Sequence, residues 1–310
     1  MKTPWGATDI PNLKGRTAIV TGASSGTGYE IALQLAKHGA HVVLASRDAA
    51  RTREAAQRIK SAVPEASTEA QRLDLAELAS IRGFVEQFFK SHDRLDILVN
   101  NAGVVGGPRR QTVDRMEMHF QVNHVGHFAL TGLLLPALRA QSGSRVVTLS
   151  SGVAAQGKIA FDDLQGEHRY RMITAYSQAK LANLLFALEL QRRSQLARAG
   201  IVSLAAHPGI VKTNLLVGRE ADWGRSRQGV EHIVRFAQIL LGRPPAAGAL
   251  APLYQATDPG ALSANYVGIA EVGSAYPRLC KVPPAALDKV TASRLWDVSA
   301  ELSGVRYEGM

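Results

Sequence analysis

The chain contains 310 residues with a formal net charge of +10, and its single cysteine is Cys280. One cysteine excludes an intramolecular disulfide and a metal cluster built on several cysteines. The basic residues are scattered rather than grouped, so we expect no nucleic-acid partner. There is no apolar run of about 18 residues and no signal-like N-terminus, so we expect no membrane span and a cytoplasmic protein.

Short β-branched segments alternate with longer amphipathic segments along the chain. In chain order the predicted strands are TAIVTG, HVVLAS, EAQRLDL, LDILVNNAG, SRVVTLSS and IVSLAAHPG, with predicted helices between them at about 26–38, 48–62, 77–91, 112–140 and 174–198. This alternation predicts an α/β fold with a doubly wound, mainly parallel sheet and helices on both faces, in one domain over residues 1–310. Ligands of such sheets bind beyond the carboxyl ends of the strands, so we expect the functional residues directly after each strand.

The segment at about 210–245 interrupts this alternation. It contains a set of large apolar residues: Leu215, Leu216, Val217, Trp223, Ile233, Phe236, Ile239, Leu240 and Leu241. Two interpretations stay open. The segment closes over a ligand as an apolar lid, or its apolar residues simply pack a helix on the core. We interpret it as an inserted loop-and-helix region rather than a separate domain.

The first predicted strand is followed by TGASSGTG, in which Gly22, Gly26 and Gly28 open the first helix. Glycine allows a tight turn and a close approach of phosphate to the backbone, and the helix N-terminus attracts anions. The place of this motif between strand and helix favours a phosphate-binding turn over an ordinary Gly/Ser turn. Its spacing is G-x-x-x-G-x-G rather than the commoner G-x-G-x-x-G.

In the stretch TAYSQAKLANLLF, Tyr176 precedes Lys180 by four residues at the start of an Ala- and Leu-rich helix. Residues at these positions share a helix face. We therefore expect the Lys180 charge to lower the pKa of Tyr176, so that the phenol could exchange a proton near neutral pH. For this stretch alone, a chance Tyr and Lys on an amphipathic helix is the alternative.

Six motifs, in their order and positions, resemble the short-chain dehydrogenase/reductase superfamily. They are TGASSGTG, NNAG, FQVNHVGHF, VVTLSS, YSQAK and HPGIVKT, and the resemblance covers about residues 14–270. The stretch DLQGEHRYRMITAYSQAKLANLLFALEL is most similar to the retinol dehydrogenase branch. The resemblance implies a Rossmann-type fold and hydride transfer between a nicotinamide cofactor and a carbonyl compound or alcohol.

The resemblance also implies four catalytic residues. Tyr176 would be the acid/base, and Lys180 would lower its pKa and bind the nicotinamide ribose. Ser151 would donate a hydrogen bond to the substrate oxygen, and Asn123 would hold a water that links Lys180 to solvent. Ser150 competes for the serine role, but the family pattern favours the second serine of the pair.

Two departures from the family pattern accompany these roles. Ser151 and Tyr176 are 25 positions apart, which is further than in many members, and retinol dehydrogenase-like members carry a similar insert. We expect this insert, at 152–173, to lie near the substrate. Thr27 stands where the family usually has Ile or Leu, a change that should not prevent phosphate binding.

The cofactor contacts implied by the resemblance lie after successive strands. They are Gly22, Ser24, Ser25, Gly26, Thr27 and Gly28, then Ser46 and Arg47, then Asp74 and Leu75, then Asn101, Ala102 and Gly103, then Tyr176 and Lys180, and finally Pro208, Gly209 and Thr213. Asp74 would accept from the adenine amino group, although a strand-end cap is an equal alternative. His119 and His207 are interpreted as structural because no metal-ligand spacing surrounds them.

The residues after the second strand predict the choice of cofactor. Ser46 stands where an acidic residue would select NAD, and Arg47 could bind a 2′-phosphate through two hydrogen bonds. Arg51 could add a second positive charge, and Asp48 is expected to cap the next helix. NADP(H) is therefore the expected cofactor; the alternative is that Arg47 is only a solvated surface arginine.

The expected function is NADP(H)-dependent reduction of a hydrophobic ketone or aldehyde, or oxidation of the corresponding alcohol. A redox-sensing regulator that binds NADP(H) with little turnover is the alternative, and the presence of both Tyr176 and Lys180 argues against it. A double-bond reductase is a third possibility, but the family's enoyl reductases space these two residues more widely. A homodimer or homotetramer is expected.

Overall fold

The computed structural model describes residues 5–209, 243–263, 266–269 and 276–310. These residues contain eight strands: β1 (Thr17–Thr21), β2 (His41–Ser46), β3 (Ser67–Arg72), β4 (Ile97–Asn100), β5 (Arg145–Leu149), β6 (Val202–His207), β7 (Tyr266–Gly268) and β8 (Arg278–Leu279). They form one sheet in the order β3-β2-β1-β4-β5-β6-β7-β8. β1 to β7 run parallel, and β8 pairs antiparallel with β7 at the edge.

Helices cover both faces of this sheet. They are α1 (Gly26–Lys37), α2 (Ala49–Ala62), α3 (Leu78–Phe89), α4 (Gly126–Leu133), α5 (Leu135–Arg139), α6 (Met172–Ala197), α7 (Pro245–Thr257) and α8 (Lys289–Ser303). Successive strand residues point to opposite faces: Val20 packs in the layer of α1, α2 and α7, and Ile19 packs in the layer that contains α3, α4, α6 and α8. A sheet buried on both faces needs apolar residues at successive positions. The predicted doubly wound α/β fold is confirmed.

The helical stretch predicted at about 112–140 is confirmed from Met118 to Arg139, but it begins later than predicted and is divided into parts. Only one helical turn, Met118–Phe120, precedes a π-helical segment, Gln121–Val125, and α4 and α5 follow as separate helices. Pro136 has no N–H to donate to a backbone carbonyl of α4, so α4 ends before it and α5 begins as a new helix. Arg115 has a left-handed φ of 62°, which places the residues before Met118 in a turn.

The third strand ends earlier than predicted. The sequence interpretation extended it through EAQRLDL to Leu75, whereas β3 ends at Arg72. Asp74 and Leu75 therefore belong to the connection between β3 and α3. Strand order reverses between β1 and β4, and their carboxyl ends form the crevice in which ligands of doubly wound sheets bind.

The predicted lid at about 210–245 lies almost wholly outside the described residues. Only residues 243–245, at its end, are described, and they lead into α7. Thr213, the last of the predicted cofactor contacts, also lies outside them.

Candidate active site

The turn between β1 and α1 has the backbone of a phosphate cradle. Gly22 and Gly26 have φ values of 67° and 58°, in the left-handed region that favours glycine. A Cβ on Gly28 would lie 2.4 Å from the Gly22 carbonyl oxygen, so only glycine lets the helix approach the turn this closely. The Ser25 side chain makes no capping hydrogen bond, and the first N–H groups of α1 remain suited to an anion.

The turn after β4 is fixed to this cradle through Thr21. The backbone N–H groups of Asn101 and Ala102 both donate to the Thr21 Oγ1, each at 2.9 Å. The Asn101 side chain donates to the Thr21 carbonyl oxygen at 2.7 Å. Three donors on one residue hold the two turns together, so the predicted contacts Asn101, Ala102 and Gly103 lie beside the glycine turn.

Gly103 brings the β4 turn against two predicted catalytic residues. A Cβ at this position would lie 2.8 Å from Asn123 Oδ1 and 3.5 Å from Lys180 Nζ. The Asn123 side chain accepts from the Val104 N–H at 2.7 Å and donates to the Val104 carbonyl at 3.0 Å. Asn123, Lys180 and the end of β4 therefore converge on one point, although they are far apart in sequence.

Tyr176 and Lys180 lie on the first turns of α6 and are both buried. Lys180 Nζ is 5.8 Å from the centre of the Tyr176 ring and donates to the Leu149 carbonyl oxygen at 3.2 Å. Burial lowers the pKa of Lys180 to about 8. Burial also raises the pKa of Tyr176 to about 12, and a hydrogen bond with Ser151 opposes that rise. The expected lowering of the Tyr176 pKa is therefore not observed, because desolvation of the phenolate dominates.

The two competing serines have different environments. Ser150 is buried, and its hydroxyl donates to the Lys180 carbonyl oxygen at 2.7 Å. Ser151 is half-buried, and its side chain interacts with Tyr176. Only Ser151 is thus placed beside the Tyr176 hydroxyl, as the pattern at the end of β5 predicted.

Asn123 occupies the middle of the π-helical segment Gln121–Val125. Its carbonyl oxygen is 3.0 Å from His127 Nδ1, and His127 Nε2 is 2.9 Å from the Thr21 hydroxyl. Burial lowers the pKa of His127 to about 4, so the ring is neutral. With Nδ1–H donating to Asn123 and Nε2 accepting from Thr21, the ring connects Asn123 to the cofactor turns. Sequence inspection missed this link, because no motif marks a histidine that bridges two turns.

The second strand end carries the residues predicted to select the cofactor. Ser46 is buried, and its hydroxyl is hydrogen-bonded to that of Thr52. Arg47 is exposed. The Asp48 side chain accepts from the N–H groups of Ala50 at 3.0 Å and of Arg51 at 3.1 Å, which confirms that Asp48 caps α2.

The Arg51 guanidinium lies 3.5 Å from the Asp48 carboxylate. Its charge is therefore partly neutralised by a neighbour. Arg47 has no such ion pair within the described part of the chain.

The remaining predicted contacts follow β3 and β6. Asp74 Oδ1 accepts from the Ala76 N–H at 3.0 Å. This carboxylate therefore stabilises the turn after β3, as the alternative of a strand-end cap predicted. After β6, Gly209 has a φ of 73°, and its N–H donates to His207 Nδ1 at 3.0 Å. His207 thus has a structural role in shaping the turn that follows Pro208.

A family model described as short chain dehydrogenase matches residues 16–223. The chain belongs to the short-chain dehydrogenase family. Retinol dehydrogenase 12 of Bos taurus is 39% identical over 308 residues, covering 97% of this chain and 90% of that protein. The family's retinol dehydrogenase-like branch is therefore the one to which this chain is related, as the sequence motifs indicated.

Solved structures share the fold of this chain. A crystal structure of a protein from Mycobacterium Paratuberculosis aligns with a TM-score of 0.77 at 35% identity and covers 98% of this chain and 99% of that one. A complex of RhlG with NADP from Pseudomonas aeruginosa aligns with a TM-score of 0.61 at 26% identity and covers 82% of this chain and 94% of that one. None of the helices in the described ranges is long and apolar enough to cross a bilayer.

A buried polar cluster beside Tyr176 was also missed. The His119 ring lies edge-on to the Tyr176 ring, with centroids 6.2 Å apart. His119 Nδ1 is 2.8 Å from Glu117 Oε1, and Tyr170 Oη is 3.2 Å from the same nitrogen. The sequence offers His119 as a structural residue, but nothing in it indicates that Glu117 is buried beside that histidine. A buried carboxylate is recognisable only from the tertiary structure.

Proposed function

We propose that this short-chain dehydrogenase is an NADP(H)-dependent oxidoreductase that interconverts hydrophobic ketones or aldehydes and the corresponding alcohols. One observation carries the proposal: Tyr176, Lys180 and Asn123 converge at the strand ends beside the glycine turn, with Ser151 against Tyr176. An acid/base, a cation and a hydrogen-bond donor beside a nucleotide cradle are the groups that carbonyl reduction requires.

The protein's residues act on the substrate oxygen. When bound, NADPH supplies the hydride that forms the new C–H bond at the carbonyl carbon. Ser151 donates a hydrogen bond to the carbonyl oxygen as its negative charge develops, and Tyr176 transfers its phenolic proton to that oxygen. Because burial raises the pKa of Tyr176 to about 12, the phenol is protonated at neutral pH. The phenol can therefore donate the proton that the reducing direction needs, and reduction is the direction that we propose.

Lys180 and Asn123 have supporting roles in the proposal. The Lys180 ammonium group stabilises the phenolate that remains on Tyr176 after proton transfer, and it binds the nicotinamide ribose. Asn123 holds a water that returns a proton from solvent. The pKa of Lys180 near 8 leaves the ammonium group charged at neutral pH, as both of its roles require.

The turn of Gly22, Gly26 and Gly28 suits a dinucleotide, since left-handed glycines at its two bends and the first N–H groups of α1 are the features that bind phosphate. We assign the phosphates to this turn and to the adjacent Ser24, Ser25 and Thr27, and the 2′-phosphate to Ser46 and Arg47. Further proposed contacts are Asp74, Leu75, Asn101, Ala102, Gly103, Pro208, Gly209 and Thr213. NADP in the structure of the similar protein RhlG supports NADP(H) over NAD(H). The exposure of Arg47 and its lack of an ion pair among the described residues support it as well.

The substrate class rests on the names of the relatives and on the apolar sequence of the 210–245 segment. Retinol dehydrogenase 12 is named for a hydrophobic alcohol, which supports a hydrophobic substrate here without specifying a retinoid. We further propose one domain over residues 1–310, a location in the cytoplasm, and assembly as a homodimer or homotetramer.

A panel of carbonyl compounds tests the proposal directly. The full chain is assayed with NADPH and NADH on aromatic, aliphatic and polycyclic ketones and aldehydes, and loss of nicotinamide absorbance is measured. We expect turnover of at least one hydrophobic compound, abolished in a Tyr176→Phe control. Binding of NADPH without turnover of any compound in the panel would instead favour the alternative of a redox-sensing regulator.

A further inference from the structure

A second cluster of ionisable residues lies at the edge of the sheet, away from the strand ends that form the active site. His41 is the first residue of β2, Glu69 lies in β3, and His92 follows α3. One nitrogen of each histidine and one oxygen of Glu69 all lie within 4.8 Å of one another. The family roles described above use none of these three residues.

The distances within this cluster match those of a metal site. Glu69 Oε2 lies 3.1 Å from His92 Nε2 and 3.8 Å from His41 Nε2. In a tetrahedral zinc site with bonds near 2.0–2.1 Å, two ligand atoms are roughly 3.3 Å apart. These two separations lie on either side of that value, and the two histidine nitrogens lie within 4.8 Å of each other. Side-chain rotation that draws the two rings together would bring all three atoms to one ion.

One ligand atom lacks a hydrogen bond. His41 Nε2 is buried and makes no hydrogen bond within the described residues. The other ring nitrogen, Nδ1, is 2.7 Å from the Ser67 hydroxyl. If Nδ1 donates its proton to Ser67, Nε2 presents a free lone pair towards Glu69. A buried nitrogen left without a partner is costly, and a metal ion would satisfy it.

The surroundings resemble the outer contacts of a metal site. Ser67 orients His41, and the Gln71 side chain donates to Glu69 Oε1 at 2.6 Å, which leaves Oε2 facing the histidines. The His92 ring stacks on Phe88, with centroids 4.7 Å apart. Metal-bound histidines and carboxylates are commonly held by such second contacts.

We propose that His41, Glu69 and His92 bind one Zn²⁺ ion, with water completing a tetrahedral shell. Two imidazole nitrogens and one carboxylate oxygen form a donor set that zinc accepts. The ion would replace the proton that His92 Nε2 donates to Glu69 Oε2, and it would connect β2, β3 and the end of α3. The site is structural, because it lies at the edge of the sheet rather than beside Tyr176.

Calorimetric titration of ZnCl₂ into the untagged, chelator-treated full chain tests the proposal. We expect one ion per chain, with affinity at least about 100-fold weaker in His41→Gln and in His92→Gln. Ser67→Ala, which removes only the outer contact, should weaken binding by about 10-fold. His168→Gln removes an exposed histidine outside the cluster and should leave the affinity unchanged.

Thermal unfolding gives a second readout that does not depend on enzyme activity. Zn²⁺ at a hundred times the wild-type dissociation constant should raise the Tm of the wild type by about 4 °C and that of either ligand variant by less than about 1 °C. If a ligand variant does not fold, the wild type and Ser67→Ala still decide the outcome. The proposal is overturned if the wild type binds no stoichiometric Zn²⁺, or if binding is equally tight after either histidine is replaced.

Discussion

Two parts of the candidate site differ in their exposure to solvent. The catalytic region contains Tyr176 and Lys180 on α6, and the cofactor-selecting region contains Ser46 and Arg47 at the end of β2. Tyr176 and Lys180 are buried, and loss of solvent moves the pKa of each, to about 12 and about 8. Arg47 is exposed and has no ion pair within the described residues. Under the proposed function, proton transfer depends on residues that the fold buries, whereas cofactor choice depends on an exposed residue that can change without disturbing the core.

Replacing the proton donor should have the largest effect. Tyr176→Phe keeps the ring and its packing but removes the transferred proton, so we expect turnover to fall about 10²–10⁴-fold with NADPH binding nearly unchanged. Steady-state kinetics and fluorescence titration of NADPH measure the two quantities. Tyr254→Phe, at a buried tyrosine on the opposite face of the sheet, is the matched control. A Tyr176→Phe enzyme with near-normal turnover would show that another group supplies the proton.

Lys180→Ala should damage both binding and rate, because one ammonium group serves the ribose and the phenolate. We expect kcat/KM to fall by at least about 100-fold and NADPH affinity to fall with it. Equilibrium titration separates the two effects. Unchanged NADPH affinity would remove the ribose role and leave only the interaction with Tyr176.

The buried cluster beside Tyr176 should affect stability more than chemistry. Burial would raise the pKa of Glu117, but hydrogen bonds from His119 and the Phe120 N–H outweigh it and hold the pKa below its ordinary value of 4.5. A group whose pKa is depressed by folding stabilises the protein above its unfolded pKa and loses that effect as the pH falls through its folded pKa. Glu117→Gln should therefore cost about 1–3 kcal/mol at pH 7 and less near pH 3.

Urea denaturation of the wild type and Glu117→Gln at both pH values measures this difference. Glu86→Gln, at an exposed carboxylate on α3, is the control and should change stability little at either pH. An equal loss for Glu117→Gln at pH 7 and at pH 3 would mean that its charge does not contribute, and that only the shape of the side chain is required.

The fold was largely predictable because its main signal is local. Alternating β-branched and amphipathic segments located β1 to β6 and the helices α1, α2, α3 and α6 between them. β7 and β8 contain only three and two residues, so their pairing depends on neighbouring strands rather than on a pattern of their own. The division of the 112–140 segment depends on Pro136 and a π-helical turn, which apolar periodicity does not reveal.

The residues of the candidate site were predictable from the sequence, but their burial and its effect on their pKa values were not. The sequence motifs predicted that Ser151, Tyr176 and Lys180 share one site, and the structure places them together. The direction of the Tyr176 pKa shift was not predictable, because it depends on burial by parts of the chain distant in sequence. The burial of Glu117 beside His119 and the convergence of three elements at the proposed zinc site were not predictable either, because they also depend on the tertiary structure.

The smallest expected effect is on the preference between NADPH and NADH, which we assign to the exposed Arg47. Because Tyr176 and Lys180 are untouched, this test distinguishes cofactor choice from proton transfer. We expect the wild type to prefer NADPH over NADH in kcat/KM by at least about tenfold, or roughly 1.4 kcal/mol, because the Arg47 guanidinium can bind a 2′-phosphate through two hydrogen bonds. Arg47→Ala should reduce that preference. Ser46→Asp/Arg47→Ala should erase or reverse it, since a carboxylate at this strand end repels the phosphate and accepts from a ribose hydroxyl.

Arg51→Ala is the matched control for this prediction, because Arg51 already lies 3.5 Å from the Asp48 carboxylate and should contribute less. Ser46 is buried against Thr52, so the Tm of the double variant must be compared with that of Arg47→Ala to separate a change in cofactor choice from a loss of folding. If cofactor choice is a surface property, the kcat of each variant with its preferred cofactor should stay near that of the wild type, since Tyr176 and Lys180 are untouched. A wild type that prefers NADH, or a double variant with unchanged preference, would show that Arg47 does not read the 2′-phosphate.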